Sequence, residues 1–145
     1  MGENMKEKEV VLKLYQNVEM GIVGIDSIDK YIKENSLKKV IYGQKSEYET
    51  LKNKLLDFCK DYNVKDKELS PFAKISSDMM VKMQILKDSN DSHIAKMMME
   101  GTNKGLIELE KLNNDYHGTD DSLREMIHKI IIREQQNNEE LKVFL

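Results

Sequence analysis

The most distinctive chemistry in the chain is a polar pair on an apolar helix stripe. Glu134 and Asn137 occupy two positions where apolar side chains are due at helical spacing. Residues three apart share a helix face, and a carboxylate and an amide buried there cost free energy unless other groups satisfy them. The pattern therefore predicts a polar layer within a helical core. The apolar members of the stripe are Leu123, Ile127, Ile130, Leu141 and Phe144.

A second polar interruption occurs in an earlier stripe. Gln44 stands between Ile41 and Tyr48, and Glu47 lies close beside it. In an antiparallel bundle of helices of these lengths, the midpoints of the helices meet at similar height. Polar residues near those midpoints are therefore expected to share one layer. The candidates for this polar layer are Asn17, Gln44, Glu47, Glu100, Glu134 and Asn137.

Carboxylates in such a layer could bind metal ions. Carboxylate di-metal sites in helical bundles use one Glu from each of two helices and a Glu-x-x-His motif from each of the other two. The matching spacings in this chain are Glu134-x-x-Asn137 and Gln44-x-x-Glu47, and neither contains a histidine. The sequence therefore favours a hydrogen-bonded layer, and it predicts neither a metal ligand nor a cofactor.

The three histidines do not complete a metal site. Glu125 and His128 have the i, i+3 spacing of half a site, but both fall away from the apolar stripe, which predicts a solvated pair. His93 stands at a helix start and His117 in a turn. We expect capping or surface roles for these two residues.

A cluster of methionines has two interpretations. Flexible thioethers fill core space, and the spacing of several of these residues favours that role. They can also form an adaptable binding surface, of which Met80 and Met99 would be the exposed members. The clustered residues are Met79, Met80, Met83, Met97, Met98 and Met99.

Small residues interrupt two of the predicted helices. Gly101 and Gly105 are four apart and share a face, and without a preceding strand or a full Walker spacing they favour a close crossing of two helices. Gly21 and Gly24 allow either a close approach or a kink. Cys59 has no histidine partner and is expected to be a small packed thiol.

The elements that position these residues are predicted to be helices joined by short connections. No segment alternates with the period of a strand, and short connections favour antiparallel neighbours. We therefore predict an all-α fold, an antiparallel four-helix bundle with one additional short helix, in a single domain over residues 1–145. Five helices are predicted, with approximate bounds of 6–34, 37–62, 70–86, 93–114 and 120–143. The third of them starts at Ser70-Pro71. The expected caps are Asn35-Ser36, Ser70, Asp91 or Ser92, and one of Thr119, Asp120 and Asp121.

Composition narrows the class of protein. The chain has 145 residues, of which 39% are hydrophobic and 34% charged, and its net charge of -3 comes from interleaved signs. The sequence shows no basic face, which argues against nucleic acid as a partner. No apolar run reaches the roughly 20 residues that a membrane span requires. A charged start without a signal segment, together with a single cysteine, favours the cytoplasm.

Three segments carry a resemblance to a known superfamily. They are NVEMGI at 17–22, LSPFAKIS at 69–76 and EQQNNEEL at 134–141. With the helix count and the polar residues at mid-helix, they resemble the ferritin-like superfamily, and more narrowly a group of small bacterial proteins of unknown function. The resemblance implies a ferritin-like bundle. Some relatives are spore-coat components, and others oxidise or store iron. When the metal-ligand pattern of the superfamily is carried over to this chain, Glu134 falls on a ligand-type position, together with Glu47 or Glu100. Both positions that would hold a histidine depart from the pattern.

The sequence favours a non-enzymatic structural or interaction protein that forms a homodimer or binds an unknown protein partner. The alternative is a di-metal carboxylate oxidase or a metal-storage protein with unusual ligands. A third hypothesis is a small-ligand binder that uses the space around Gly101 and Gly105.

Overall fold

The computed structural model describes residues 5–69 and 90–145, and within these ranges every regular element is helical. The all-α prediction is therefore confirmed. The helix predicted to start at Ser70-Pro71, with Met79, Met80 and Met83, lies outside the described residues. The helices are α1 (Glu7–Ile28), α2 (Asn35–Asp61), α3 (Asp66–Leu69), α4 (Asp91–Asp115) and α5 (Asp121–Leu141), with 3-10 turns at Asp29–Tyr31 and Lys142–Phe144.

The first helix ends earlier than its apolar pattern predicts. The α-helix stops at Ile28 and tightens into the turn Asp29–Tyr31. Beyond the turn, the Asp91 carboxylate accepts the backbone N–H groups of Lys33 and Glu34, each at 2.9 Å. The carboxylate from α4 provides a partner for two backbone amides of the exposed link that follows the turn. A distant residue thus sets the link from α1 to α2.

Two predicted helix starts are corrected by the structure. The cap of α4 is Asn90, whose side chain accepts the His93 backbone N–H at 2.9 Å, rather than Asp91 or Ser92. The residue before α2 is Glu34, which makes no side-chain capping bond. The predicted cap at Asp120 is confirmed, because its side chain accepts the Leu123 N–H at 3.0 Å.

The end of α2 is a Schellman motif. Asn63 adopts a left-handed conformation with φ 62°. The Val64 N–H donates to the Cys59 carbonyl at 2.8 Å, and the Asn63 N–H donates to the Lys60 carbonyl at 3.3 Å. This pattern satisfies carbonyls that a helix end leaves unpaired. The chain then forms the single turn α3, within a stretch predicted to be an irregular connection.

α1 and α5 contact each other and run in the same direction, whereas four other pairs of contacting long helices run in opposite directions. The residue numbers at their contacts rise along one helix as they fall along the other. The contacts are Asp26–Lys45 and Glu19–Lys52 for α1 and α2, Asn103–Asn138 and Asn113–His128 for α4 and α5, Asn17–Gly105 and Lys33–Asp91 for α1 and α4, and Gln44–Asn137 and Tyr62–Asp120 for α2 and α5.

An apolar core lies between these helices. Burying each large aliphatic side chain contributes about 1.5–3 kcal/mol relative to leaving it exposed. None of the described helices is long and apolar enough to cross a membrane. The core members include Leu14, Val18, Ile25, Leu37, Ile41, Leu55, Ile94, Leu109, Leu123, Ile127 and Ile130.

Candidate functional site

Polar side chains from three helices meet in the core opposite the backbone of α4. The exposed fraction is 3% for both Gln44 and Glu134 and 0% for Asn137, and Asn17 is half-buried. Tyr48, read from the sequence as part of an apolar stripe, lies among them with its ring buried. We call Asn17, Gln44, Tyr48, Glu134 and Asn137 the polar layer.

The Glu134 carboxyl group packs against the backbone of α4 at Gly105, and we call this contact the seat of Glu134. A Cβ atom at position 105 would lie 2.8 Å from Glu134 Oε1 and 3.1 Å from Asn17 Nδ2. Both distances are shorter than ordinary van der Waals contact, so a larger residue would displace one or both groups. Asn17 Nδ2 also donates to the Gly105 carbonyl at 3.2 Å. The carboxyl and the amide therefore both rest against the backbone of α4.

Gly21 plays the corresponding role for Tyr48. A Cβ atom at position 21 would lie 2.7 Å from Tyr48 Cζ, whereas nothing lies within 4 Å of the same position at Gly24 or Gly101. The close crossing predicted for Gly101 and Gly105 is therefore corrected. Gly105 receives a side chain from a neighbouring helix, and Gly101 faces open space.

The pKa of Glu134 is the most perturbed property of the layer. Burial raises its pKa from 4.5 to about 8, and the Tyr48 hydroxyl offsets only part of this by favouring the charged form. Oε2 of Glu134 is buried without a hydrogen-bond partner of normal geometry. Burial also raises the pKa of Tyr48, which keeps its hydroxyl protonated. At pH 7 the folded protein therefore holds Glu134 mainly as a neutral carboxylic acid.

A hydrogen-bond network occupies the α2–α5 side of the layer. Arg133 Nε donates to Asn137 Oδ1 at 2.8 Å, and its Nη2 donates to Glu140 Oε1 at 2.9 Å. Gln44 Nε2 donates to the Asn137 carbonyl at 3.1 Å and to Glu140 Oε1 at 3.2 Å. Asn137 Nδ2 has no partner of hydrogen-bond geometry among the described residues, although the Asn137 side chain lies close enough to the Tyr48 hydroxyl to lower its pKa. The guanidinium next to Glu134 in sequence is thus bound to a different carboxylate.

Sequence reasoning missed Arg133 and Glu140. Their only signal is spacing, since Arg133 lies four residues before Asn137 and seven before Glu140, which places all three along one side of the helix. The sequence placed Tyr48 on the buried stripe, which the structure confirms, but it did not predict a role for the hydroxyl group. Its hydroxyl becomes relevant only when Glu134 is brought beside it.

Two predicted members of the layer lie on the surface. Glu47 and Glu100 are exposed, which corrects their assignment to the core. Glu47 precedes the buried Tyr48, and one residue turns a helix by about 100°, so its side chain points away from the core. The structure therefore does not bring either carboxylate to Glu134.

The histidines and Glu125 are all exposed. His128 Nε2 lies 3.1 Å from Asn113 Oδ1, a contact between α5 and α4. Within residues 5–69 and 90–145, no group of three or more His, Cys, Asp or Glu side chains is placed to hold a metal ion.

The described methionines and the cysteine pack against the core. Met97, Met98 and Met99 are half-buried against it, so Met99 is not the exposed surface residue that the sequence predicted. The other predicted surface residue, Met80, lies outside the described residues. Cys59 is buried, and burial raises the pKa of its thiol, which disfavours the nucleophilic thiolate.

A second polar group, which we call the end cluster, lies where α4 turns into α5 and consists of Glu7, Tyr62, Tyr116, Asp120 and Arg124. The hydroxyl of Tyr116, a residue that is 1% exposed, accepts the Asp120 N–H at 3.1 Å and donates to Glu7 Oε1 at 3.3 Å. Tyr62 donates its hydroxyl to Asp120 Oδ2. These contacts join the start of α1, the end of α2 and the α4–α5 turn.

Arg124 closes the end cluster over the turn. Its Nη2 donates to the carbonyls of Tyr116 at 3.2 Å and Gly118 at 3.1 Å, and its guanidinium lies 4.9 Å from the centre of the Tyr116 ring. The bond from Tyr62 and the backbone N–H groups of the first turn of α5 lower the pKa of Asp120. The arrangement stabilises a charged cap at the start of α5.

Comparisons of the chain with protein-family models, with curated proteins and with solved structures found no match.

Proposed function

We propose that this chain is a non-enzymatic structural or interaction protein whose polar layer sets the alignment of its helices. The observation that carries the proposal is the seating of Glu134 and Asn17 against Gly105. A slip of one residue between α4 and α5 would place a side chain where Gly105 now leaves room. Buried polar groups that fit only one alignment are an established means of specifying register.

We further propose that the fold is an antiparallel four-helix bundle of the ferritin-like type, with relatives among small bacterial proteins. The opposite directions of four contacting pairs, α1 with α2, α4 with α5, α1 with α4 and α2 with α5, support the bundle. The layer itself supports a structural role, because Glu134 faces an amide and a tyrosine hydroxyl while the carboxylates that could have joined it are exposed.

Elemental analysis tests the structural role against metal oxidation or storage. Purified protein would be incubated with Fe²⁺, Mn²⁺ or Zn²⁺, desalted and measured by mass spectrometry. We expect far less than one equivalent of metal per chain. About two equivalents, the content of a di-metal carboxylate site, would overturn the proposal if they were lost in Glu134→Ala and kept in the surface control Glu47→Ala.

The interaction role is supported by two exposed isoleucines. Ile107 on α4 and Ile132 on α5 are each 61% exposed. The contacts Gly105–Glu134 and Asn113–His128 place them at similar height along the antiparallel pair. Large apolar side chains that stay exposed are candidates for a protein contact site. We propose that this pair lies in the interface of a homodimer.

Sedimentation velocity tests the homodimer. We expect the protein to self-associate at high concentration and the double variant Ile107→Glu with Ile132→Glu to remain monomeric. The control is Tyr42→Glu on α2, at a side chain that is also exposed, and it should associate like the original protein. A monomer at every concentration would contradict the homodimer, as would equal association of all three proteins.

A further inference from the structure

The charge environment of Glu134 differs from that of an ordinary buried carboxylate. α1 presents the uncharged Asn17, α2 presents Tyr48, and α4 presents only the backbone at Gly105. On α5 the neighbouring residue Arg133 is charged, and its guanidinium is bound to Asn137 and Glu140. Among the described residues, the titratable or charged groups facing this site are thus Tyr48 and the already paired Arg133–Glu140.

The unpaired polar atoms match a neutral acid better than a carboxylate. Among the described residues, neither Glu134 Oε2 nor Asn17 Oδ1 has a partner of hydrogen-bond geometry, and the Tyr48 hydroxyl is the one group that offsets the burial of the carboxyl group. A protonated carboxyl group supplies one O–H donor, which a carboxylate lacks, and a nearby amide oxygen can only accept. An ionised Glu134 would instead bury a charge that no cation of the described residues neutralises, at a high cost in free energy. The seat at Gly105 therefore favours the protonated form.

We propose that the seat of Glu134 against Gly105 is a proton-controlled latch that holds α5 to α1 and α4. With the carboxyl group protonated, Glu134 stays seated and the polar layer is closed. When the group releases its proton to solvent, the charged carboxylate withdraws from the seat and the packing of α5 against α4 loosens. The latch goes beyond the structural role, because it makes the tightness of the helix packing depend on pH.

The direction of the effect follows from linkage. The pKa of Glu134 is about 8 in the folded protein, against 4.5 for the ordinary group. Between these values the folded chain keeps a proton that the unfolded chain has lost, so stability falls as the pH rises. The unfolding equilibrium constant should increase by up to about tenfold per pH unit over this window and level off above it. The latch is therefore tightest in mild acid.

Urea unfolding at a series of pH values from about 5 to 9 tests this linkage. We expect the original protein to lose stability across the window relative to Glu134→Gln, which keeps the shape of the side chain but cannot ionise. The three histidines are present in both proteins, so their effect cancels in the difference. Glu47→Gln, a change at an exposed carboxylate, should follow the original protein. The proposal would be overturned if the unfolding free energies of the original protein and of Glu134→Gln changed equally with pH.

Two measurements resolve the latch at the residue itself. Carboxyl NMR should show a titration of Glu134 near pH 8, and hydrogen exchange, corrected for the intrinsic effect of pH, should show that amides around residues 130–138 lose protection over the same range. Amides near the end cluster should keep theirs. A titration in the ordinary carboxyl range, or unchanged protection in α5, would overturn the latch even if the Gln variant does not fold.

A matched pair of glycine variants tests the seat. Gly105→Ala places a methyl group 2.8 Å from Glu134 Oε1, whereas Gly101→Ala, one turn earlier on α4, meets nothing within 4 Å. We expect Gly105→Ala to push the Glu134 carboxyl group toward solvent, lower its pKa and remove the pH dependence of stability. Gly101→Ala should keep the raised pKa and the pH dependence. Retention of a high pKa for Glu134 in a folded Gly105→Ala variant would show that the seat does not control it.

Discussion

The polar layer is largely buried and the end cluster only half-buried around Tyr116, and their polar groups find partners to different extents. In the end cluster, the hydroxyls of Tyr62 and Tyr116 and both carboxylate oxygens of Asp120 have partners. In the polar layer, Asn17 Oδ1, Glu134 Oε2 and Asn137 Nδ2 have no partner of hydrogen-bond geometry within residues 5–69 and 90–145. The two regions therefore stabilise the fold to different degrees, although both connect several helices.

The difference arises from position along the helices. A helix end leaves backbone N–H and C=O groups free, and Asp120 and Arg124 use these groups as partners. At mid-helix the backbone bonds are already made within each helix, so side chains must find one another. Polar residues near a helix end are thus easily satisfied, and those at mid-helix depend on the fit between helices.

The largest effect is expected from the end cluster. Asp120→Ala removes the cap of α5 and leaves the Tyr62 hydroxyl without its acceptor, and the sum of these losses should be about 2–3 kcal/mol of unfolding free energy. Urea unfolding followed by circular dichroism measures this loss. Asp120→Asn, which keeps an oxygen for the Leu123 N–H, should lose clearly less. A negligible effect of the Ala variant would show that the cluster does not anchor the helix ends.

The opposite sign is expected from the polar layer. Glu134→Leu removes a buried group with an unpaired oxygen and completes the apolar stripe, so the fold should persist with a gain of about 1–2 kcal/mol at pH 7. The melting temperature measures this gain, and Glu47→Leu on the surface is the control. A large loss of stability would mean that the Glu134 carboxyl group is firmly paired and that the contrast between the two regions is wrong.

A smaller effect is expected at the Tyr48 seat. Gly21→Ala should gain up to about 1 kcal/mol of helix propensity but lose more from the clash with the buried ring. Gly24→Ala on the same helix has open space and should show the gain alone. The two variants should therefore change the midpoint of urea unfolding in opposite directions. Equal stabilisation of both would mean that the Tyr48 ring moves aside freely.

The smallest effect is expected in acid, where the end cluster responds to pH in the opposite sense to Glu134. The pKa of Asp120 is lowered from 3.8, so its contribution is present above that value and is lost as the pH falls through the lower folded value. The original protein should have a higher unfolding free energy than Asp120→Asn. This difference should be constant above about pH 5 and shrink below about pH 4. An advantage that does not change in acid would show that the charge of Asp120 contributes nothing.

Much of the local structure was readable from the spacing of apolar residues. The helical periodicity predicted α1, α2, α4 and α5 to within a few residues, apart from the early end of α1. That end could not be read locally, because it depends on Asp91, a residue 57 positions beyond Glu34. The Schellman motif at Asn63 was missed because asparagine is a less specific signal than glycine for a left-handed turn.

The polar layer was only partly predictable. The stripe positions of Gln44, Glu134 and Asn137 carried the signal, since a polar residue at a period otherwise filled by apolar ones points toward the core. Glu47 and Glu100 were included because they lie near mid-helix, and height along a helix does not determine which side a residue faces. The roles of Gly105 and Gly21 could not be assigned, because a missing side chain does not reveal which neighbour fills its space.

The sequence by itself determined that the chain is helical and which faces of α1, α2 and α5 are buried, because both depend on intervals of three and four residues within one segment. Only the tertiary structure decided which polar groups meet, that Glu134 rests on Gly105 while Arg133 binds Glu140, and that the groups near helix ends find partners. Those contacts join residues on different helices or depend on the chosen rotamers, and one helix pattern is compatible with many ways of aligning its neighbours.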